Sequence, residues 1–245
     1  MGQAYRIDRL RIITYKGQKK KEMKSLRCRY MAKSLVVNCN AQSQSFEFVN
    51  FRGSHFKNVN FKNAVFCGCD FWGTTFKDCD FQNAKFQDCV FMASILRNCS
   101  FVGTAFSNSV IVNTKPPDCL SIDKCSGVLL YSTYPKCDMT IELNTALETL
   151  RDNRNLKKNK LLFISDTKYN QLNLRTNFLY KVGKRITGGT KVSFSNMNYT
   201  RILSSGSNNC LPALLLELNH HSTAKITTYK KMECELNKLL KLAIM

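Results

Sequence analysis

Phe56-Lys57-Asn58-Val59-Asn60-Phe61-Lys62-Asn63-Ala64-Val65-Phe66-Cys67-Gly68-Cys69-Asp70-Phe71 carries a phenylalanine at every fifth position. Followed outward in both directions, the same position is apolar fourteen times in succession: Phe46, Phe51, Phe56, Phe61, Phe66, Phe71, Phe76, Phe81, Phe86, Phe91, Leu96, Phe101, Phe106 and Ile111. Twelve of the fourteen are Phe, out of 16 in the chain. A period of five fits neither the roughly 3.6 of an amphipathic helix nor the 2 of an alternating strand, so the chain must turn a corner every five residues to keep these rings together. Two positions ahead of each ring the residue is small, as at Ser54, Ala64, Cys69, Thr74, Cys79 and Cys89. Two positions behind it stand residues that tolerate turn geometry, as at Gly53, Asn58, Asn63, Asp78, Asn83 and Asp88.

This pattern resembles that of the pentapeptide-repeat family, whose unit is a small residue, a central Leu or Phe, and residues that turn the chain. The resemblance covers about residues 34–115 and implies a mainly β fold, a right-handed quadrilateral β-helix with one repeat per side. Residues twenty apart then lie on one face, coils stack at a strand spacing of ~4.8 Å, and the fourteen repeats from Phe46 make three and a half coils. The expected core is Phe51, Phe56, Phe61, Phe66, Phe71, Phe76, Phe81, Phe86, Phe91, Leu96, Phe101 and Phe106.

Residues 1–33 read as a basic N-terminal arm, with eleven Lys/Arg against Asp8 and Glu22. Three readings are open for it: a solvated arm, a nucleic-acid or acidic-partner contact, or sequence ahead of a start at Met23 or Met31. Behind Pro116-Pro117 the register breaks, and residues 116–139 read as a degenerate coil or linker. Residues 140–245 read as a smaller α+β or helical region. Within it Ile141, Leu143, Ala146, Leu147 and Leu150 predict a helix over 140–160, and 161–164 and 178–194 read as strands, the latter a hairpin turning at Gly188-Gly189 rather than a phosphate loop. From Lys225 to Met245, Ile226, Tyr229, Met232, Leu236, Leu239 and Leu240 fall at helical spacing, which suits either a core face or a homodimer seam. His220 and His221 read as surface residues.

The 245-residue chain is 44% hydrophobic and holds 37 Lys+Arg against 17 Asp+Glu, a net charge of +20. Its longest apolar run, from Leu211 to Leu216, falls far below the ~20 residues of a membrane span, and the N-terminus shows no apolar signal segment, so a cytoplasmic chain without a membrane partner is expected. In such a compartment its 12 cysteines stay reduced and serve as small buried hydrophobes. Their spacing gives no metal-ligand pair, only three histidines are present, and no catalytic constellation emerges. No enzyme, cofactor or metal is therefore expected, and a binding module is.

The best-understood relatives implied by the resemblance mimic B-form DNA in size, shape and negative charge and protect DNA gyrase or topoisomerase IV from quinolones or peptide toxins. Such mimicry needs rows of outward carboxylates. Between residues 46 and 115, however, seven Lys/Arg face five Asp/Glu. Asp78 and Asp80 are expected at one corner and Asp70 and Asp88 near another, a small acidic patch that, with the basic Lys19, Lys20 and Lys21, makes up the candidate interaction surface. The leading expectation is a rod that docks an unidentified protein. Protection of a type II topoisomerase is the alternative, and nucleic-acid binding through the basic flanks is the second.

Overall fold

The computed structural model describes residues 9–117, 125–131, 141–156, 210–220, 223 and 226–244. The chain forms two compact units, Met1–Thr133 and Tyr134–Met245.

The first unit is a four-sided parallel β-solenoid. Its first side stacks β1 (Arg11–Ile13), β4 (Leu35–Val37), β7 (His55–Lys57), β10 (Thr75–Lys77) and β13 (Ile95–Arg97). The second pairs β2 (Lys21–Glu22) with β5 (Cys39–Asn40) and continues through single bridges, Asn40 to Asn60 to Asp80 to Ser100. The third stacks β3 (Leu26–Arg27), β6 (Ser45–Glu47), β8 (Val65–Cys67), β11 (Lys85–Gln87), β14 (Ala105–Ser107) and β16 (Cys125–Ser126). The fourth stacks β9 (Asp70–Trp72), β12 (Val90–Met92), β15 (Val110–Val112) and β17 (Leu129–Tyr131). From β4 to β15 the partners are twenty residues apart, as in Phe56↔Phe76 and Phe86↔Phe106.

The solenoid is longer than the repeat count suggests, because coils are added at both ends. Residues 11–33, expected as a free arm, form a complete first coil. There β1 pairs with β4 (Arg11↔Leu35), β2 with β5 (Lys21↔Cys39) and β3 with β6 (Leu26↔Phe46). Met23 and Met31, considered as start sites, are 1% and 5% exposed and join the core cluster. An insertion hides this coil in the sequence: eight steps separate Ile13 from Lys21, where two separate their partners Val37 and Cys39. Beyond Pro116-Pro117 the ladder resumes in β16 and β17 with partners nineteen apart, Phe106↔Cys125 and Val110↔Leu129.

The rings fill the axis. Phe46, Phe66, Phe86 and Phe106 stack in one column with centroids 5.0, 4.7 and 4.8 Å apart. Phe61, Phe81 and Phe101 do the same at 5.0 and 5.1 Å, and neighbours around a coil, such as Phe51 and Phe56, meet edge to face at 5.3 Å. Leu96 is half-buried at the margin of this core.

Every corner residue from Asn38 to Asn113, at steps of five, has positive φ, between 43° and 69°. This left-handed conformation explains the Asn, Asp and Gly of the column, since other residues are disfavoured there by ~1–2 kcal/mol. Ser43, Phe48 and Ala93 are exceptions that the surrounding ladder holds in place. The small column plugs the corner from inside: Ser54 Oγ donates to Met31 O, Thr74 Oγ1 to Phe51 O, Thr104 Oγ1 to Phe81 O and Cys69 Sγ to Phe46 O. Val49 and Val59 are the bulkiest fully buried members of the same column.

The second unit is described through α1 (Ile141–Asp152), α2 (Cys210–His220) and α3 (Tyr229–Ile244), with α2 packed on both α1 and α3. The helices expected over 140–160 and 225–245 are thus present in shorter form, while α2, legible only as the apolar run from Leu211 to Leu216, is an additional one. Asn153 ties the ends of α1 and α2 together, donating to Asn219 Oδ1 and accepting from Thr223 Oγ1. The strands expected at 161–164 and 178–194, the Gly188-Gly189 turn and His221 lie outside the described residues.

Two stability series test this packing. In urea unfolding, Phe76→Ala is expected to lose ~3–5 kcal/mol through the cavity it leaves, whereas Lys77→Ala, one residue further along and facing outward, should stay within ~0.5 kcal/mol of the parent. At the corners, Ala93→Gly should gain about 1 kcal/mol by relieving its left-handed φ of 48°. Gly103→Ala should lose at least as much, because its new Cβ would press against the Asn83 side-chain amide.

Candidate interaction surface

With the central and small positions turned inward, function must reside on the residues flanking each ring. Their identity differs from side to side. On the first side, Lys57, Lys77 and Arg97 occupy one position on three successive strands. The cations therefore form a column with a rise of ~4.8 Å per coil. Lys57 and Arg97 are exposed and Lys77 is half-buried. Beside them runs a polar corner in which Asn58 Nδ2 donates to Asn38 Oδ1 and Asn98 Nδ2 to Asp78 Oδ1.

The second side is a ladder of amides and carboxylates. Asn40 Nδ2 donates to Glu22, and Asn60 Nδ2 donates to Asn40 Oδ1. Asn40, Asn60 and Asp80 each also close a turn: Gln42 N–H donates to Asn40 Oδ1, Lys62 N–H to Asn60 Oδ1 and Gln82 N–H to Asp80 Oδ1. The outward row is therefore partly structural, because its oxygens hold the backbone.

The fourth side is unlike the rest. Its outward positions Val90, Met92, Val110 and Val112 are apolar and at most 6% exposed. Arg52 lies over Trp72, 5.8 Å from the ring centroid.

The four carboxylates expected as an acidic patch are placed differently from one another. Asp78 and Asp80 flank one corner, on either side of Cys79. Asp80 is occupied by its turn and by an ion pair with Lys62 at 3.3 Å, and Asp78 accepts from Asn98. Asp88 sits at a left-handed corner of the third side. Asp70 belongs to the fourth side and is 5% exposed, so it is not part of an accessible surface. Lys19, Lys20 and Lys21 are exposed, on the loop that enters β2 and on β2 itself. Sequence reasoning passed over the column Lys57, Lys77 and Arg97, although its spacing of twenty is the repeat of one coil.

The buried thiols show no reactive arrangement. Burial, reinforced by a hydrogen bond with Cys69, pushes the Cys89 thiol well above its ordinary range. Cys79 and Cys99 occupy equivalent positions on adjacent coils and share a hydrogen bond, which together with burial raises Cys79 and which lowers Cys99. Among the described residues no group of three or more His, Cys, Asp or Glu is placed to hold a metal, and no helix is long and apolar enough to cross a membrane.

The sequence profile of the family described as pentapeptide repeats matches residues 37–73, 45–83 and 75–111, in 8 copies. Residues 37–111 thus consist of pentapeptide repeats. No curated protein sequence matches it. Among solved structures, it is similar to a pentapeptide repeat protein from Nostoc Pcc 7120 at 19% identity, over 40% of this chain and 81% of that one, with a TM-score of 0.30. A thylakoid-lumen pentapeptide repeat protein of Arabidopsis thaliana matches at 15% identity, over 40% and 66%, with a TM-score of 0.28. QnrB1, a plasmid-mediated fluoroquinolone resistance protein, matches at 14% identity, over 49% and 71%, with a TM-score of 0.20.

The thiol arrangement predicts an order of reaction. With iodoacetamide at neutral pH, Cys99 should be alkylated ahead of Cys79 and Cys89, because its lowered pKa and partial exposure favour the thiolate. Cys79 and Cys89 should react only after unfolding, as read by peptide mass spectrometry.

Proposed function

We propose that this protein is a non-enzymatic interaction module whose solenoid docks a protein partner along the cationic column of its first side. The observation that supports this reading most directly is the column of Lys57, Lys77 and Arg97. It is held at fixed spacing on a rigid sheet, and a partner meeting it need not order long flexible segments. An acidic protein surface is the complement.

Protection of a type II topoisomerase is the second reading, and the surface does not favour it. A mimic of DNA must present carboxylates in rows, whereas here Asp70 is buried and Asp80 is paired with Lys62. Over residues 9–117, seventeen Lys/Arg stand against six Asp/Glu. Dimerisation through the last helix is likewise not favoured, because Met232, Leu236 and Leu239 of its apolar stripe are already buried.

Site-specific photo-crosslinking in cells tests the proposal. A photoreactive residue in place of Thr75, on the first side, should give a discrete protein adduct that disappears in the K57E/K77E/R97E variant. No adduct from this side, or one insensitive to the charge reversal, overturns the reading. In a gyrase supercoiling assay with a quinolone present, stoichiometric protein should give no rescue; recovery of supercoiling would establish the second reading instead.

A further inference from the structure

The first coil is chemically distinct from the other coils. Residues 9–33 hold ten Lys/Arg and one acidic residue, Glu22. All ten cations are exposed. The remaining described solenoid, residues 34–117, holds seven Lys/Arg and five Asp/Glu. Nine of the eleven net positive charges over residues 9–117 therefore come from one coil rather than from an even coating of the rod.

The coil also distributes these charges around its perimeter. Arg11 lies on β1, Lys19 and Lys20 on the inserted loop, Lys24 beyond β2, Arg27 on β3, and Arg29 behind it toward the fourth side. Of the carboxylates near them, Glu47 pairs with Arg27 at 2.8 Å and Glu22 accepts from Asn40. Each strand is fixed to the second coil by the ladder, so the cations cannot spread apart as they would on a free arm. Neighbouring cations such as Lys19, Lys20 and Lys21, consecutive and exposed, lie within the Debye length of ~8 Å at physiological salt and repel one another until an anion binds.

We infer that this cationic coil binds the phosphate backbone of single-stranded nucleic acid, which follows it around the corners of the solenoid. Three observations select that partner. The cations are on all sides of the coil, and a duplex, stiff over ~50 nm, can lie along only one of them. A single strand bends within a few nucleotides. Tyr15, 70% exposed and next to Lys16 on the inserted loop, offers a ring on which a base can stack. It is also the one large hydrophobic side chain exposed among residues 9–33, so the coil lacks the cluster of apolar anchors that a protein interface requires. This surface is separate from the first-side column proposed to dock a protein, though it rests on the same view of the chain as a binding module.

Fluorescence anisotropy of the full chain with a labelled 20-nucleotide oligothymidylate tests the inference. Each contacted phosphate contributes about −0.7 to the slope of log affinity against log salt. Four contacts therefore weaken binding roughly fifty-fold between 50 and 200 mM salt. K19E/K20E/K21E, confined to the exposed loop and the edge strand β2, should weaken binding at least about tenfold with an unchanged far-UV spectrum. K57E/K77E/R97E removes the same charge from other coils and should weaken it less than about threefold. Tyr15→Ala should weaken binding without altering the salt slope.

The inference is overturned by equal losses in the two charge-reversal variants, which would reduce the effect to net charge. It is overturned equally by a duplex that binds as tightly as the single strand, by polyglutamate that displaces the oligonucleotide as well as unlabelled oligonucleotide does, or by no binding at 50 mM salt. None of these outcomes affects the crosslinking from Thr75, so the two proposals fail separately.

Discussion

Everything in the solenoid depends on a match between two distances. Parallel strands stack at ~4.8 Å, and phenylalanine rings stacked from coil to coil here lie 4.7 to 5.7 Å apart. The backbone ladder and the aromatic columns can therefore be satisfied together, with one ring per side and no gap between layers. Any slip of register would break both at once. That is why partners stay twenty residues apart over the whole aromatic segment, from Phe56↔Phe76 to Phe86↔Phe106. Where the rings give way to Ile111 and Leu130, the register relaxes to nineteen.

The corners follow from the same constraint. A side only three strand residues long must turn sharply, which puts its last residue in the left-handed region and the small residue after it against the inside of the bend. A carbonyl of the coil before is left facing inward at that bend. The small residue satisfies it with a hydroxyl or thiol, as Thr74 does for Phe51 and Cys89 for Phe66. The cysteines are thereby explained as donors of the right size, which is also why burial holds the Cys89 thiol protonated.

Function is left to the residues that the core does not consume, and these are predominantly basic. A fold of this kind converts a linear order of charges into columns and rings, because residues a coil apart become neighbours at a strand spacing. Lys57, Lys77 and Arg97 become a column in this way. The charges of residues 9–33, which as a flexible segment would be dispersed, become the rim of one coil. Two distinct cationic surfaces arise from a composition that shows only a net charge of +20.

The aromatic core, the four-sided coil and the turn residues were readable in the order of amino acids alone, because a strict period of five records the geometry at every step from Phe46 to Ile111. The first coil was not readable. Its central residues are Ile12, Met23, Leu26 and Met31, and the insertion before Lys21 destroys the count, so only pairing with the finished second coil reveals it. The surface was legible in part: Lys19, Lys20 and Lys21 are exposed as their charge suggests, but nothing local distinguishes a buried Asp70 from an exposed Asp78. Which side a residue occupies follows from counting. Whether that side meets solvent depends on contacts between segments distant in the chain, and only the folded structure contains those.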